Sequence, residues 1–421
     1  MIRPETQRRM RAFGLASLLI VVGAGAALAR VPPAERCYFG AVRLMEAGKT
    51  KPALALLQRA VVAPQVNLAT GAYRDIAHRR ELMQLLINEG VSGADPSFNI
   101  EKFHQALVAR AHTRIAEILM QQGKFAEAVR QLERGKLADP DYPMAPCRLA
   151  QVHLALGDPA AAIKEAKAAW LNSPLYSEYR RTYATAVARN AAKLYTQGET
   201  GKAKLSFEFA LQIDPLNPET LSDYGWLLFS GEEELPFRVS ESAEKAIRKY
   251  TRSQALYMME QATELAPEVA GYHLQLGRAY QLLGEREKAT ASYQRAAEVE
   301  PANADARLAA ARALLASGET TVALEHLREA LQRRPDDVAV LTELAAAYRR
   351  QGDAARAARH AQEALDLDAN NARAHYELAL SHLARGQESQ AILELQRARA
   401  LAPNERIGLQ ARSRLAQLGT M

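Results

Sequence analysis

Nine histidines and two cysteines carry most of the acid-base and metal-binding potential of this 421-residue chain. Histidine is the commonest acid, base and metal ligand near neutral pH, and a thiolate is a nucleophile and a soft ligand. Neither set is spaced for such chemistry. No His-Glu-x-x-His pair, phosphate-cradling glycine loop, nucleophile elbow or paired-cysteine zinc pattern occurs. His375 and His382 share a helical face at a spacing of seven, which could suit a metal, but both also fall on a repeating register that explains them as packing residues. Cys37 and Cys147 lie in different repeats, and a disulfide needs Cα atoms within about 7 Å, so both are expected to be packed thiols. The sequence therefore predicts no enzyme, no metal and no cofactor.

The register is set by glycine. Gly284, Gly318, Gly352 and Gly386 stand 34 residues apart, each followed five residues later by Ala289, Ala323, Ala357 or Ala391. Pro301, Pro335 and Pro403 extend the ruler, with Ala369 in the slot where proline is missing. Each residue type has a physical reason: glycine ends a helix in the left-handed region, alanine permits close helix approach, and proline stops the next helix. Each unit reads as helix, turn, helix, stop. Gly123, Ala128 and Pro140, then Gly157, Ala162 and Pro174, carry the period upstream, and after a seven-residue insertion Gly198, Ala203 and Pro215 restore it. With Gly48, Ala53, Leu57 and Ala60 as a looser first unit, about nine units are predicted.

Leu276, Gly277, Tyr280, Gly284, Ala289, Tyr293, Ala296 and Pro301 together resemble the tetratricopeptide repeat at nearly every signature position. The resemblance implies an all-α fold, a right-handed superhelical solenoid of stacked helix-turn-helix repeats. If each unit is numbered so that Gly284 is position 15, His112, His273 and His375 occupy position 4, and His153 and His382 occupy position 11. Those are the tryptophan and tyrosine slots of the family pattern, so these histidines are expected to pack. His326 and His360 share position 23 of adjacent units.

The predicted organisation is an N-terminal segment 1–30, a solenoid 34–403 and a capping helix 404–421. Residues 65–102 fit the motif poorly and read as a degenerate hairpin. An insertion at 231–249 interrupts the fifth unit, where Leu221, Tyr224 and Gly225 begin a first helix but Ala255, Met259, Ala262 and Pro267 arrive 18 residues late. The stretch Ser240–Tyr250 favours an extension of the second helix, and the insertion could equally serve a binding face or be a solvated spur. At the start, Arg3, Arg8, Arg9 and Arg11 precede an uncharged run from Ala12 to Ala29, which reads as an export signal peptide or a single transmembrane anchor. Retained or cleaved, it would place the repeats across a bacterial-type inner membrane, in the periplasm. Of the formal charge of +6, three units net belong to residues 1–29, leaving about +3, too balanced for a nucleic-acid partner.

The resemblance also implies that first helices line a concave groove into which positions 2, 5, 9 and 12 point. Those positions hold Trp226 and Phe229, then Leu274, Arg278, Gln281, Leu308, Arg312, Leu315, Thr342, Arg349, Arg373, Tyr376, Leu380 and Leu383. An apolar groove dotted with arginine suits a protein or peptide segment that is acidic and carries apolar anchors. The lysine and asparagine clamp of chaperone-binding members is absent, with Ala188, Ala192 and Asp223 in its place. The expected function is a non-enzymatic interaction scaffold in an envelope assembly, export or maturation pathway. The alternative is a polysaccharide-binding accessory whose groove aromatics stack on sugar.

Overall fold

Position 15, where it is glycine, shows why the period exists. Gly284 and Gly318 sit at φ 79° and 90°, closing their helices in the left-handed region. The next amide in each case turns back: Glu285 N donates to Tyr280 O and Glu319 N to Leu314 O, both at 2.9 Å, and Asp353 N repeats the bond to Tyr348 O beyond Gly352. A side chain at this φ would be strained, so glycine is required for backbone rather than packing reasons.

The computed structural model describes residues 33–62, 100–231 and 240–419, and among them every regular element is a helix. The chain divides between Asp214 and Pro215 into two compact units. In the first lie α1 (Pro33–Glu46), α2 (Thr50–Val62), α3 (Ile100–Gln121), α4 (Phe125–Ala138), α5 (Met144–Ala155), α6 (Pro159–Asn172), α7 (Ser177–Thr196) and α8 (Thr200–Ile213). The second holds α9 (Pro218–Ser230), α10 (Glu241–Leu265), α11 (Ala270–Leu283), α12 (Arg286–Val299), α13 (Ala304–Ser317), α14 (Thr320–Arg333), α15 (Val338–Arg350), α16 (Ala354–Leu367), α17 (Ala372–Ala384), α18 (Glu388–Leu401) and α19 (Arg406–Gln417). Within each unit a helix packs on its hairpin partner and on the next repeat, as α17 does on α18 and α19. Such stacking spreads stability over nearest-neighbour interfaces.

The core follows the ruler. Ala289, Ala323, Ala357 and Ala391 are all buried, and around them pack Leu324, Leu327, Tyr293 and Leu395. Caps recur at the same period: the side chains of Asn303, Asp337 and Asn371 accept backbone N–H bonds from Ala306, Val340 and Ala374 at 3.0, 3.2 and 3.0 Å, satisfying amides that a helix start leaves free. The seven-residue insertion is absorbed inside α7, which has 20 residues. Seven residues are close to two helical turns, so the added length leaves the packing face where it was.

The apolar run 12–29 lies outside the described residues, as do 65–99 of the predicted degenerate hairpin and 232–239 of the insertion. Residues 100–102 belong to α3. The later part of the insertion is the first stretch of the 25-residue α10, whose buried residues begin only at Ala255. Helix α19 buries Ala411 and Leu415 against Ala379, Leu395 and Ala398 at the end of the second unit. Among the described residues no helix is long and apolar enough to cross a membrane.

The position-4 histidines are buried and satisfied. His273 Nε2 and His375 Nε2 lie 3.0 Å from Pro267 O and Ala369 O, six residues back. His112 Nδ1 meets Gln131 at 2.7 Å and His375 Nδ1 meets Glu394 at 2.5 Å, the same step from position 4 to position 23. In the repeat that follows that of His273, Arg307 fills position 4 and donates from Nε to Pro301 O at 2.8 Å, and His326 Nδ1 at position 23 is without a hydrogen bond. Burial lowers the pKa of His112, and burial followed by the Arg307 charge lowers that of His326. The folded state thus binds fewer protons than the unfolded chain, whose histidines titrate near 6.5. Stability is full above that value and falls as the pH drops below it. Thermal melts are expected to show a lower transition at pH 5 than at pH 7.5, and H112Q with H326Q should flatten that dependence.

Candidate functional site

The first helices of the second unit, α9, α11, α13, α15 and α17, carry all fourteen residues of the predicted groove. The structure separates them into core and surface. Phe229, Leu308, Leu315 and Thr342 are buried. Consecutive first helices pack against each other, and three of these side chains are held between neighbours. Leu308 and Leu315 pack with Val340, Leu344 and Tyr348. Phe229 packs with Met259, Leu276 and Ala279. Thr342 turns its hydroxyl inward to donate to Val338 O at 2.6 Å.

Among the rest, Arg278, Gln281 and Arg312 are exposed, while Trp226, Leu274, Arg349, Arg373, Tyr376, Leu380 and Leu383 are half-buried. Trp226 stacks on Phe229 with centroids 6.2 Å apart, and the Arg278 guanidinium lies 4.8 Å from the Trp226 ring. That cation–π contact holds Arg278 beside the indole. Gln281 accepts a bond from Tyr293 Oη at 2.7 Å. On α9 and α11, Gln275 donates to Asp223 at 3.1 Å and is bonded by Ser222, stitching adjacent first helices together.

The arginines are less free than their sequence positions suggest. Arg312 Nε donates to Glu343 Oε1 at 2.7 Å, and Arg373 donates to Glu343 Oε2 at 2.6 Å. Arg349 Nε donates to Glu377 Oε2 at 2.8 Å. Glu343 and Glu377 are buried at position 6, which the sequence reading did not include. A signal for them was present: Arg312, Glu343 and Arg373 are spaced by 31 and then 30 residues. The first unit repeats that spacing with reversed charge, since Arg148 Nε donates to Glu117 at 2.8 Å and Arg148 also pairs with Glu178. Burial pulls the Arg148 pKa down, but hydrogen bonds and charge from Glu117 and Glu178 outweigh it and the net shift is upward. Arg114 also pairs with Glu117, at 3.1 Å.

Chemistry of other kinds finds little foothold. Among the described residues no group of His, Cys, Asp or Glu converges as a metal site. Both cysteines are free, and burial pushes the Cys147 thiol up to about 11 despite its contact with Thr182, far from the thiolate needed for attack.

Helical hairpins stacked in a 34-residue register, with an ordered row of side chains along their first helices, define a solenoid interaction protein. Tetratricopeptide repeat models match residues 113–177 and 274–338, and a second such model matches residues 348–415. The chain belongs to the tetratricopeptide repeat family. No curated protein matches it. Among solved structures, YrrB, described as a TPR protein with an unusual peptide-binding site, is 16% identical over 49% of this chain and 97% of its own, with a TM-score of 0.38. PilF of Pseudomonas aeruginosa is 16% identical over 57% of this chain and 96% of its own, with a TM-score of 0.40. The APC/C hetero-tetramer Cut9-Hcn1 is 16% identical over 96% of this chain and 82% of its own, with a TM-score of 0.43.

Proposed function

We propose that the chain is a non-enzymatic protein–protein interaction scaffold that binds a partner segment along the first-helix face of its second unit. Tetratricopeptide repeat proteins generally mediate protein–protein interactions. The observation that carries the finer reading is electrostatic: Arg278, Arg312 and Arg373 reach solvent along this face, and Arg312 and Arg373 share one buried carboxylate, that of Glu343. An acidic segment with apolar anchors complements it, with Trp226, Leu274, Tyr376 and Leu380 as the partly open apolar positions. The arginine-flanked run 12–29 supports a place in the cell envelope, anchored in the inner membrane or exported to the periplasm, for an assembly, export or maturation role. A polysaccharide partner draws no support from the aromatics, because Phe229 is buried and the Trp226 ring already carries Phe229 and Arg278.

The test is capture of partners from crosslinked envelopes of the native host, followed by affinity measurement on the purified pair. Trp226→Ala is expected to weaken binding by about 2 kcal/mol, as for an interface hot spot, and Arg278→Glu to weaken it further while the helical signal is retained. Unchanged affinity with a lowered melting temperature would assign Trp226 to the core and move recognition off this face.

A further inference from the structure

We infer that a cavity between the second helices α16 and α18 binds a small amphiphile with an apolar body and one anionic head. The cavity has a volume of about 500 Å³ and is walled by Leu365 of α16, Leu378 of α17 and Leu401 of α18, with Ala369 and Asn370 at its corner. None of its lining residues belongs to the predicted groove, so the inference stands apart from the segment-binding reading. Largely apolar walls with a few placed polar groups, at a volume of this order, are the usual character of a small-molecule site.

Two departures from the 34-residue ruler meet here. Ala369 stands in the slot that Pro301, Pro335 and Pro403 fill, and it lines the cavity with a methyl group in place of a prolyl ring. Position 23 carries Glu394, buried against His375, where the repeat of His273 has Ser292. Counting protons on that pair fixes the charge of the cavity. Ala369 O can only accept, so His375 Nε2, 3.0 Å away, carries a hydrogen, and a second proton must lie between Nδ1 and Glu394 Oε2 at 2.5 Å. Whichever atom holds it, ring and carboxyl together are neutral. Arg397 donates to Glu394 Oε1 at 2.8 Å, and among the described residues that line the cavity it is the charge left without compensation. That bond occupies one terminal nitrogen, and the side chain is 54% exposed. Asp366 and Asp368, beside the end of α16, are not in the lining and are bonded by Gln362, Asn370 and Asn371. An apolar body against the three leucines and one negative head on the Arg397 guanidinium complement the cavity in shape and charge.

The experiment is methyl NMR on the full chain, labelled at leucine and alanine, titrated with octanoate and with octanamide as its neutral isostere. Octanoate is expected to move the Leu365, Leu378 and Leu401 methyls saturably and to bind about tenfold more tightly than the amide, the scale of one charge-assisted hydrogen bond. Arg397→Gln leaves Glu394 bonded to His375, should stay folded, and should bind acid and amide alike. Ala369→Pro restores the ruler. Asp368, at φ −138° and ψ 89°, already has the backbone of Arg334, at φ −133° and ψ 84° before Pro335, and of Glu300, at φ −126° and ψ 79° before Pro301. This variant should therefore keep the wild-type fold while its ring takes up part of the cavity, weakening octanoate about tenfold, the value of roughly two displaced methylene groups. The site is overturned by the absence of saturable shifts, by shifts spread over leucines elsewhere, or by equal binding of acid and amide to the wild type. Wild-type preference in Arg397→Gln, or undiminished octanoate binding by a folded Ala369→Pro, would overturn it as well.

Discussion

Gly408→Ala is expected to detach the last helix and cost about 3 kcal/mol or more. Gly408 is buried in the first turn of α19, and a Cβ there would lie 1.8 Å from Ala402 O and 2.7 Å from Ala402 C. Both are backbone atoms at the end of α18, so no rotamer change can clear the overlap. Helix α19 would have to lift, uncovering the cluster of Ala379, Leu395, Ala398, Ala411 and Leu415. A solenoid needs its terminal hydrophobic face covered, and damage at an end propagates through neighbouring repeats only. Amide hydrogen exchange should therefore show protection lost in α17 to α19 and retained in α11 to α13. Gly201→Ala and Gly271→Ala are the controls: a Cβ at either meets nothing within 4 Å, and alanine in a helix is favoured over glycine by about 0.5–1 kcal/mol. A wild-type melting temperature and unchanged exchange in Gly408→Ala would refute the argument.

Gly408 also marks where the sequence stops being readable. The repeat glycines were legible because their backbone duty recurs every 34 residues, and the alanines at position 20 because hairpin packing demands a small residue in every copy. The capping residues Asn303, Asp337 and Asn371 follow the same ruler and were readable on the same ground, though the sequence reading passed over them. Gly408 occurs once, after the last unit, and its reason is a single close approach to Ala402 that no periodicity announces. Exposure along the first helices was only half legible. Position 9 is open at Arg312 and half-buried at Trp226, while position 5 is buried at Leu308 and half-buried at Leu274 and Tyr376. The difference lies in what the adjacent first helix offers, which depends on pairs of residues about one repeat apart. The partners of the groove arginines were hidden for the same reason. Glu343 and Glu377 become visible only when charges are compared at steps of 31, 30 and 28 residues, slightly off the period, because the contacts run diagonally between stacked helices.

Arg349→Ala should destabilise the second unit by about 3 kcal/mol, whereas Arg312→Ala should cost less than about 1 kcal/mol. The two arginines occupy neighbouring first helices and both pair with a buried glutamate, so sequence alone gives them the same role. Their partners differ. Glu377 has a side-chain exposure of 7% and pairs with Arg349 alone, so truncating the arginine strands a charge inside the helix stack. Glu343 is held from both sides, and removing Arg312 leaves it bonded to Arg373 at 2.6 Å. The double variant Arg349→Ala with Glu377→Gln should recover most of the loss, since the amide removes the stranded charge while keeping the side chain's volume. Chemical denaturation of the four proteins forms the cycle that checks this. Equal destabilisation by Arg349→Ala and Arg312→Ala, or no recovery in the double variant, would mean that packing of the arginine stems sets the cost. The expected pattern instead divides the arginines of one face: Glu377 depends on Arg349, whereas Glu343 keeps a partner when either Arg312 or Arg373 is lost.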